Sequence, residues 1–387
     1  MREGASTSRP ILPPRTIGVL GGGQLGRMMA LEARRMGYRV VALDPDPMCP
    51  CAGVVNTLLL GALDDVDAGR QLAEQCEVLT MDTEHVPADA LDLLSEHVLI
   101  RPNPSIYRII QDRQTQKSFL DGLGLPVAIW APANTPEERA AAIARTGPDA
   151  VLKTRRSGYD GKGQARIRPG DDVEEAAARI GHQPAVLEAF VPFARELSVL
   201  LARGVTGELR VWPVAENAHR DHILHTTVTP ARIPPTVAAR AAEIARALAE
   251  GLDLVGVMAV ELFHLADDAL LVNEIAPRTH NSGHATWGAC ATSQFAQQVR
   301  AICGLPLGDP SLLRPGVMLN LLGDLWAQGP PDWRLVLEHP DAALHLYGKM
   351  KARIGRKMGH AIFLDEDVEA ALARAEAVHQ ALTARAS

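Results

Sequence analysis

Aromatic residues, cysteines and long apolar runs are scarce in this chain, and acidic residues outnumber basic ones. Aromatic side chains make up 4% of the 387 residues, and the formal net charge is -7. A general nucleic-acid binder needs a basic face and stacking aromatics, so no nucleic-acid partner is expected, although a local pocket for one phosphate stays open. No apolar run reaches transmembrane length and no secretory signal is recognisable, so no membrane association is expected.

The cysteine pattern favours reduced thiols. Five cysteines occur, at positions 49, 51, 76, 290 and 303, which is an odd number without a paired CxxC framework. Disulfide scaffolds and cysteine-based zinc sites both need regular pairs, so we expect a cytoplasmic protein without structural zinc. His280 and His284 are four residues apart, but the glycine between them favours a polar loop over a zinc-binding helix.

Length and composition predict several domains. A chain of 387 residues, 47% of them hydrophobic, exceeds the size at which one core usually keeps growing, so two or three domains are expected. Residues 1–15, rich in serine and proline, predict a loose tail. Residues 105–123 predict one linking helix that carries Asp112, Arg113 and Lys117, and its basic residues are expected to be solvated.

A βαβ unit opens the folded part. A strand over residues 16–20 is followed by the turn Gly21–Gly26 and a helix to Met36, and a second strand covers residues 39–44. The turn has the G-x-G-x-x-G spacing, whose backbone N–H groups can approach an anion such as a dinucleotide or a sugar phosphate. A tight turn that only packs helix on sheet would have the same spacing.

Acidic residues follow a later strand of the same predicted sheet. Residues 58–60 and 77–81 predict further strands, and Asp82 and Glu84 come directly after the second. Open α/β sheets bind ligands at the carboxyl ends of their strands. These carboxylates are therefore candidates for binding a substrate amine or hydroxyl, or they only cap the next helix.

A cationic, glycine-rich turn marks the middle of the chain. Apolar residues 150–152 lead into Lys153, and four cations and three glycines lie between Lys153 and Gly163. Such a segment suits polyphosphate, because lysine supplies a point charge and the glycines expose backbone donors. The alternative is a solvated hairpin tip.

Two apolar runs, at residues 256–265 and 269–278, are joined by a short acidic turn and predict a β-hairpin. Folding about its centre places Glu261 opposite Glu274, and two facing carboxylates on apolar strands need a cation or a shared proton between them. Magnesium, which prefers oxygen ligands, is the natural candidate, with Asn273 beside it. The alternative is that both glutamates are exposed to solvent.

A smaller unit is predicted from residue 313. Strands are expected at residues 316–322, 344–347 and 360–364, and an amphipathic helix at residues 367–385. The most basic window of the chain precedes the last strand, and a single phosphate fits it better than nucleic acid does. Its cations are Lys349, Lys351, Arg353, Arg356 and Lys357.

Five motifs give the chain a family resemblance. In order they are GGGQLGRM, SGYDGKGQ, ENAHRDHIL, NEIAPRTHNSGH and GRKMGH, and the likeness runs from Ile17 to Leu364. Together they resemble the 5-(carboxyamino)imidazole ribonucleotide synthetases, which are ATP-grasp ligases of purine biosynthesis. The resemblance implies an α/β fold of ATP-grasp architecture, with a Rossmann-like (preATP-grasp) domain over residues 16–112, an ATP-grasp domain over 113–312 and a small C-terminal domain over 313–387.

The resemblance also implies the ligand positions. Glu261 and Glu274 match the family's magnesium ligands. Tyr159 and Asp160 match residues near the reacting amine, and Arg278 is a further implied catalytic residue. The positions implied for ATP are Arg113, Lys153, Gly158, Tyr159, Asp160, Gly161, Lys162, Gly163, Gln164, Glu188, Ala189, Phe190, Val191, Glu196, His219, Asn273 and Glu274. The positions implied for the ribonucleotide substrate are Gln24, Leu25, Glu84, His280, Asn281, Lys349, Arg356 and Lys357.

Four loops depart from the family pattern. Met-Asp-Thr-Glu, with Asp82 at its second position, stands where the family tends to have Tyr-Glu-Phe-Glu. His222 stands where glycine is common, and Thr279 and Ile354 stand where proline is frequent. The charged ligands are in place, so the departures bear on local loop geometry.

The implied activity is the ATP- and bicarbonate-dependent carboxylation of the amine of 5-aminoimidazole ribonucleotide through carboxyphosphate, with a homodimer as the expected assembly. Two other hypotheses stay open. A nicotinamide-dependent dehydrogenase would use Gly21–Gly26 and Asp44, but it leaves Lys153 and the pair Glu261 and Glu274 unexplained. A non-catalytic nucleotide-binding regulator would keep the pocket without turnover.

Overall fold

The computed structural model describes residues 9–156, 158 and 162–386. Three β-sheets organise this part of the chain. Tyr159, Asp160 and Gly161, which were predicted as site residues, lie outside the described residues. No helix in the described ranges combines the length and the apolar character needed to cross a membrane.

A five-stranded parallel sheet and its helices form the N-terminal domain. The elements are β1 (Thr16–Leu20), α1 (Gln24–Arg35), β2 (Arg39–Asp44), β3 (Thr57–Leu60), α2 (Val66–Ala73), β4 (Val78–Met81), α3 (Ala88–Ser95), β5 (Leu99–Ile100) and α4 (Pro104–Ile110). The strand order is β3-β2-β1-β4-β5, and all four pairings are parallel. The carboxyl ends of β1, β2 and β4 therefore meet at one edge, where such sheets bind ligands.

The predicted helix over residues 105–123 is two helices. The second, α5 (Arg113–Gly122), is capped by Asp112, whose side chain accepts hydrogen bonds from two backbone N–H groups of its first turn. Asp112 is buried and lies 2.7 Å from the Arg155 guanidinium. Asp112 therefore begins a second helix and ties it to the cationic turn.

A four-stranded antiparallel sheet begins the central domain. Its elements are β6 (Trp130–Pro132), α6 (Pro136–Thr146), β7 (Ala150–Thr154), β8 (Gln164–Ile167), α7 (Val173–Arg179) and β9 (Ala185–Ala189), in the order β6-β9-β7-β8. Val151 pairs with Glu188 and Lys153 with Val186. Lys153 and Glu188 are therefore diagonal neighbours on one face of the sheet.

A nine-stranded sheet forms the rest of the chain. Its strands and helices are β10 (Arg195–Arg203), β11 (Leu209–Val211), β12 (Ala215–Arg220), β13 (Ile223–Thr229), α8 (Pro235–Gly251), β14 (Gly256–His264), β15 (Leu270–Ala276), α9 (Thr286–Ala289), α10 (Gln294–Ile302), β16 (Gly316–Leu322), α11 (Arg334–Leu337), β17 (Ala342–Leu346), β18 (Lys357–Leu364) and α12 (Val368–Ala386). The order is β15-β14-β10-β12-β13-β16-β18-β17, with β11 beside β10. The predicted hairpin is β14 and β15, and Glu261 pairs directly with Glu274.

The strands of the C-terminal unit continue the central sheet. β16 is hydrogen-bonded to β13 in antiparallel register, with Thr226 opposite Leu319. α12 covers the extended sheet, and Val317, Phe363 and Ala375 share one buried cluster there. The boundary predicted at residue 313 therefore separates units that share one hydrogen-bonded sheet.

Part of the predicted tail is held against the folded chain. The Ile11 N–H donates to the Cys303 carbonyl at 2.8 Å, and the Tyr38 hydroxyl donates to the Ile11 carbonyl at 2.6 Å. The description as a loose tail does not fit residues 9–15. Residues 1–8 lie outside the described ranges.

Candidate active site

A cleft of about 1330 Å³ is lined by residues of the four-stranded sheet, of the nine-stranded sheet and of the segments that follow β1 and β4 in the N-terminal domain. Most of the predicted site residues lie on its walls: Gln24, Leu25, Glu84, Arg113, Lys153, Lys162, Gln164, Glu188, Ala189, Phe190, Val191, Glu196, His219, Glu261, Asn273, Glu274, Arg278, His280, Asn281 and Lys357. Gly158 lines a neighbouring pocket of about 290 Å³, which shares Glu84, Arg113 and Glu274 with the cleft. Three further predicted positions within the described ranges line neither space: Gly163, Lys349 and Arg356.

Glu261 and Glu274 bring two negative charges together on β14 and β15. Burial, together with the Glu274 carboxylate, raises the pKa of Glu261 to about 7. His280 Nε2 lies 3.3 Å from Glu261 Oε1, but burial lowers the pKa of His280 to about 3, so the imidazole is neutral. Two half-buried carboxylates that repel each other fit a divalent cation, which would stabilise their charges.

Two lysines share one buried glutamate in the small sheet. Lys153 Nζ lies 3.1 Å and Lys117 Nζ lies 3.3 Å from Glu188 Oε2. Burial on its own would raise the pKa of Glu188, but the two ammonium groups lower it to about 2. Lys117 is only 1% exposed, so the expectation that it is solvated is wrong. The cluster has one positive charge in excess, which suits a phosphate group.

The segment after β9 presents one backbone donor at the cleft. The N–H groups of Ala189 and Phe190 donate to the carbonyls of Ile129 and Asp149. The N–H of Val191, which also lines the cleft, makes no hydrogen bond to any residue that the structure describes. A free donor beside apolar side chains suits the edge of a planar base.

Glu196 and His219 hold each other at the cleft wall. His219 Nδ1 lies 2.5 Å from Glu196 Oε2, and both side chains are about one quarter exposed. Burial on its own would lower the pKa of His219, but the Glu196 carboxylate raises it above its ordinary value. A carboxylate fixed in this way is a ready acceptor for hydroxyl groups.

Internal carboxylates occupy the glycine turn after β1. The Gly22 N–H donates to Asp44 at 2.6 Å, and the N–H groups of Gly23 and Gly26 donate to the two oxygens of Asp82. A Cβ at Gly23 would lie 2.2 Å from Asp82 Oδ2, so the turn closes tightly on this side chain. The prediction that these N–H groups approach a bound anion is wrong for this structure, because the carboxylates have taken that place.

Glu84 and Arg278 join the N-terminal domain to the end of β15. Arg278 Nη2 donates to Glu84 Oε1 at 2.9 Å, and Nε contacts the other oxygen. Burial on its own would raise the pKa of Glu84, but Arg278 lowers it to about 2. Asn281 follows on the same loop and is 7% exposed, and neither polar atom of its side-chain amide has a hydrogen-bond partner among the described residues. Asn281 thus brings a buried, unpartnered amide to the cleft wall.

The C-terminal basic window meets the N-terminal domain through Lys349. Its Nζ donates to Gln24 Oε1 at 3.0 Å and to the Lys357 carbonyl at 2.7 Å. Burial, with help from neighbouring cations, lowers the pKa of Lys349 to about 8. Arg356 instead donates to the Lys351 carbonyl at 2.8 Å. The structure thus brings Lys349 and Lys357 to the cleft region near Gln24.

Two departures from the family pattern lie at exposed or turning backbone. His222 follows Asp221 in the turn between β12 and β13, and both have positive φ, at 64° and 49°. A position in this region favours glycine, which explains why His222 is unusual there. Ile354 is 89% exposed, so the substitution leaves buried contacts unchanged.

The comparisons with known proteins agree with this geometry. Three family models match the chain: a ribonucleotide synthetase preATP-grasp domain at residues 15–111, an ATP-grasp domain at 118–295, and a phosphoribosylaminoimidazole carboxylase C-terminal domain at 316–374. The N5-carboxyaminoimidazole ribonucleotide synthase of Brucella melitensis biotype 1 is 46% identical over 350 residues, covering 90% of this chain and 96% of that protein. The chain belongs to the N5-carboxyaminoimidazole ribonucleotide synthase family.

Solved structures of N5-carboxyaminoimidazole ribonucleotide synthetases share the fold. One, an ADP complex, is 44% identical with a TM-score of 0.91, covering 96% of this chain and 98% of that one. Another, from Aspergillus clavatus with ADP and 5-aminoimidazole ribonucleotide, is 34% identical with a TM-score of 0.86, covering 95% and 98%. The predicted family and ATP-grasp architecture are confirmed. The dehydrogenase hypothesis needs Asp44 free to bind a nicotinamide cofactor, but Asp44 instead accepts a hydrogen bond from the glycine turn.

Proposed function

We propose that this chain is an ATP-dependent carbon–nitrogen ligase that carboxylates the amine of 5-aminoimidazole ribonucleotide, using bicarbonate and releasing ADP and phosphate. The observation that carries the proposal is one cleft lined by both the coupled carboxylates Glu261 and Glu274 and the cluster of Lys153 and Glu188. Membership of the family and the nucleotides in its solved structures support the same activity.

ATP would lie between the small sheet and the hairpin. Lys153 and Lys117 would neutralise phosphate charge, because Glu188 cancels only one of their two charges. The Val191 N–H would donate to the base, and Glu196 would accept from the ribose hydroxyls. The glycine-rich turn, which holds the predicted ATP positions 158–164, would close over the phosphates as a lid.

Magnesium would be held by Glu261 and Glu274, with Asn273 beside them. The ion would supply charge neutralisation at the ATP phosphates when bound. These residues suit the ion. Burial and the Glu274 carboxylate raise the pKa of Glu261, and a bound divalent cation would offset both effects by stabilising the charged carboxylate.

The ribonucleotide would bind at the other end of the cleft. Gln24, held by Lys349, and Leu25 begin α1 and line this end of the cleft. Lys357 lines the same space. Glu84 with Arg278, together with His280 and Asn281, would orient the base, and Arg356 stays a proposed phosphate ligand. Arg278 stays a proposed catalytic residue. The proposed ribonucleotide ligands are Gln24, Leu25, Glu84, His280, Asn281, Lys349, Arg356 and Lys357.

The chemistry requires an activated carboxyl donor, because bicarbonate is a poor electrophile. Transfer of the γ-phosphoryl group to bicarbonate gives carboxyphosphate, with catalysis by positioning and charge neutralisation. The substrate amine then attacks the carboxyl carbon, or carbon dioxide released from it in the closed site, and phosphate leaves. Asp160, with Tyr159 beside it, is proposed to accept the amine proton.

The test is a measurement of phosphate release from ATP with each substrate omitted in turn. We expect release to need 5-aminoimidazole ribonucleotide, bicarbonate and magnesium together, with labelled bicarbonate carbon appearing in the product. Release that ignores the ribonucleotide would contradict the proposed substrate. ATP binding without any release would favour the regulator hypothesis.

We further propose a cytoplasmic homodimer. All five cysteines are free and buried, which suits a reducing compartment. The dimer rests on the family resemblance, and light scattering of the purified chain at several concentrations measures it directly.

A further inference from the structure

A second cluster of metal-binding side chains lies outside the cleft. It consists of His225 on β13 and of Glu376 and His379 on α12. The ligand atoms of these three residues all lie within 4.8 Å of one another, which holds for no other group of three His, Cys, Asp or Glu residues in the part of the chain that the structure describes. None of the three lines the cleft.

We propose that His225, Glu376 and His379 form a binding site for one divalent transition metal ion, with zinc as the preferred ion. Two imidazoles and one carboxylate are a ligand set that zinc uses, with water in the fourth position. Magnesium and calcium prefer oxygen ligands alone, so the two histidines select against the ions that suit the glutamate pair in the cleft.

A β-bulge directs His225 towards the helix. On β12, Ala218 pairs with Thr226 and His219 pairs with Leu224, so the register shifts and His225 is the extra residue. Bulges re-aim side chains in this way. His225 Nε2 lies 3.1 Å from Glu376 Oε1, and its side chain is 5% exposed.

One of the three ligand separations matches a tetrahedral site, and the other two lie within 4.8 Å. Zinc ligands at about 2.0 to 2.1 Å from the ion are roughly 3.3 Å from one another. The separation of 3.1 Å between His225 and Glu376 already matches such an edge. His379 follows Glu376 by three residues on α12, so both side chains project from one face of the helix. The ring of His379 stands edge-on to that of His225, with centroids 4.6 Å apart, and metal binding would require His379 to move closer to the other two ligands.

The imidazole nitrogens of the cluster have lone pairs that could bind an ion. His379 makes no side-chain hydrogen bond to any described residue. Burial lowers the pKa of His225 and lowers that of His379 to about 4, so both rings are neutral near pH 7. Metal binding needs neutral imidazole.

Arg220 would act as an outer partner of the site. Its Nη2 donates to Glu376 Oε2 at 2.8 Å, which leaves Oε1 directed at His225. Metal-binding carboxylates are commonly fixed by such a hydrogen bond. The guanidinium charge reduces the net attraction for a cation, so the site is expected to need the two imidazoles as well as the carboxylate.

A bound ion would cross-link β13 to α12 and so fasten the last helix to the large sheet. Full-length protein freed of metal by chelation, without nucleotide and in excess magnesium, is titrated with zinc alone and with cobalt(II) alone. We expect one ion per chain, a rise in melting temperature with zinc, and the visible absorption of tetrahedral cobalt.

The variant His379→Gln keeps a side chain of similar size at a partly exposed position and should weaken zinc binding by about tenfold to a hundredfold or more. His97→Gln, at an exposed histidine, is the matched control and should bind as the unmodified chain does. Equal zinc affinity in His379→Gln and the control overturns the proposal. So does binding that is lost in Glu261→Gln but kept in His379→Gln, because the ion then lies in the cleft.

A measurement on the unmodified chain covers the case in which His379→Gln does not fold. Cobalt(II) bound at the proposed site shifts the proton resonances of the two histidine rings that ligate it. Large shifts for His225 and His379 support the site, and their absence at saturating cobalt overturns it.

Discussion

At the scale of single residues, two carboxylates of the cleft stay ionised although burial would raise their pKa, because each is paired with cations. Glu188 has two lysines and Glu84 has Arg278, and in each case the partner lowers the carboxyl pKa to about 2. Glu261 has a second carboxylate instead, and its pKa is raised to about 7. The facing carboxylates of Glu261 and Glu274 are therefore a place that fits a cation.

Glu274→Gln tests that place. The change keeps the size of the side chain and removes one charge, so the proposed magnesium site loses a ligand, and ATP turnover should fall by about two to three orders of magnitude. The pKa of Glu261 should fall because the like charge is gone. Steady-state rates across a magnesium titration measure the first effect. Glu250→Gln, an exposed glutamate on α8, is the control, and a Glu274→Gln enzyme with the same rate and magnesium dependence as this control would remove the pair from the site.

Glu188→Gln gives a pH-dependent prediction for stability. A carboxyl group whose pKa is lower in the folded chain stabilises the fold above its unfolded pKa, near 4.5 here, and that contribution is lost as pH falls through its folded pKa of about 2. The full contribution is roughly 3 kcal/mol. Urea unfolding at about pH 7 should therefore show the variant clearly less stable than the unmodified chain, and the gap should narrow towards about pH 3.5. A gap that is the same at both pH values would mean that the ion pairs do not hold Glu188 charged.

Some of these residues could be predicted from the sequence and some could not. The pairing of Glu261 with Glu274 follows from the hairpin, because two strands and one turn set the register. Lys117 was expected to be solvated, since a lysine on a helix usually is. Its burial depends on Glu188, which lies on a strand far along the chain. The local sequence pattern around Lys117 does not predict that contact.

At the scale of elements, the glycine turn shows how a motif and its use can differ. The spacing correctly predicts a strand, a tight turn and a helix. Asp44 and Asp82 fill the turn. They lie at the ends of β2 and β4, the two strands that flank β1 in the sheet order. The single helix predicted over residues 105–123 fails for a similar reason, because Asp112 caps a new helix in the middle.

Gly23→Ala tests the turn. The added Cβ would lie 2.2 Å from Asp82 Oδ2, so the carboxylate must move and the start of α1 with it. We expect the Michaelis constant for 5-aminoimidazole ribonucleotide to rise by about tenfold or more, while that for ATP changes little, since Lys153 and Glu188 lie on another sheet. Gly53→Ala in the same domain is the matched control, because its Cβ would meet open space. A selective loss of ATP affinity would reverse the assignment of the two ends of the cleft.

At the scale of the whole molecule, the three units of the family are present, but the last two share a sheet. The pairing of β13 with β16 joins residues far apart in sequence, and hydrophobic pattern predicts each strand without predicting its neighbour. The strand over residues 316–322 is confirmed with its predicted bounds. Its position in the middle of the large sheet could not be predicted from its own residues.

A fragment that ends at residue 312 should therefore fail to fold cooperatively. It would expose the edge of β13 and the apolar side chains, such as Val228, that pack with the C-terminal strands. Circular dichroism during heating should show no sharp transition, and much of the fragment should aggregate. A chain lacking only residues 384–387 is the control and should melt as the full chain does. A soluble fragment with a sharp transition would show that the central part of the sheet is independently stable.

The pairing of β13 with β16 cannot form until the ribosome has synthesised β16. Gly316 is the partner of Thr229 and follows it by about 90 residues, so on the ribosome β13 exists before β16 does. At 5 to 20 residues per second, that interval lasts roughly 5 to 20 s. Throughout it the nascent sheet has an open edge that another nascent chain could join. The yield of this protein in cells is therefore expected to depend on how fast that stretch is translated and on whether a chaperone covers the edge until β16 arrives.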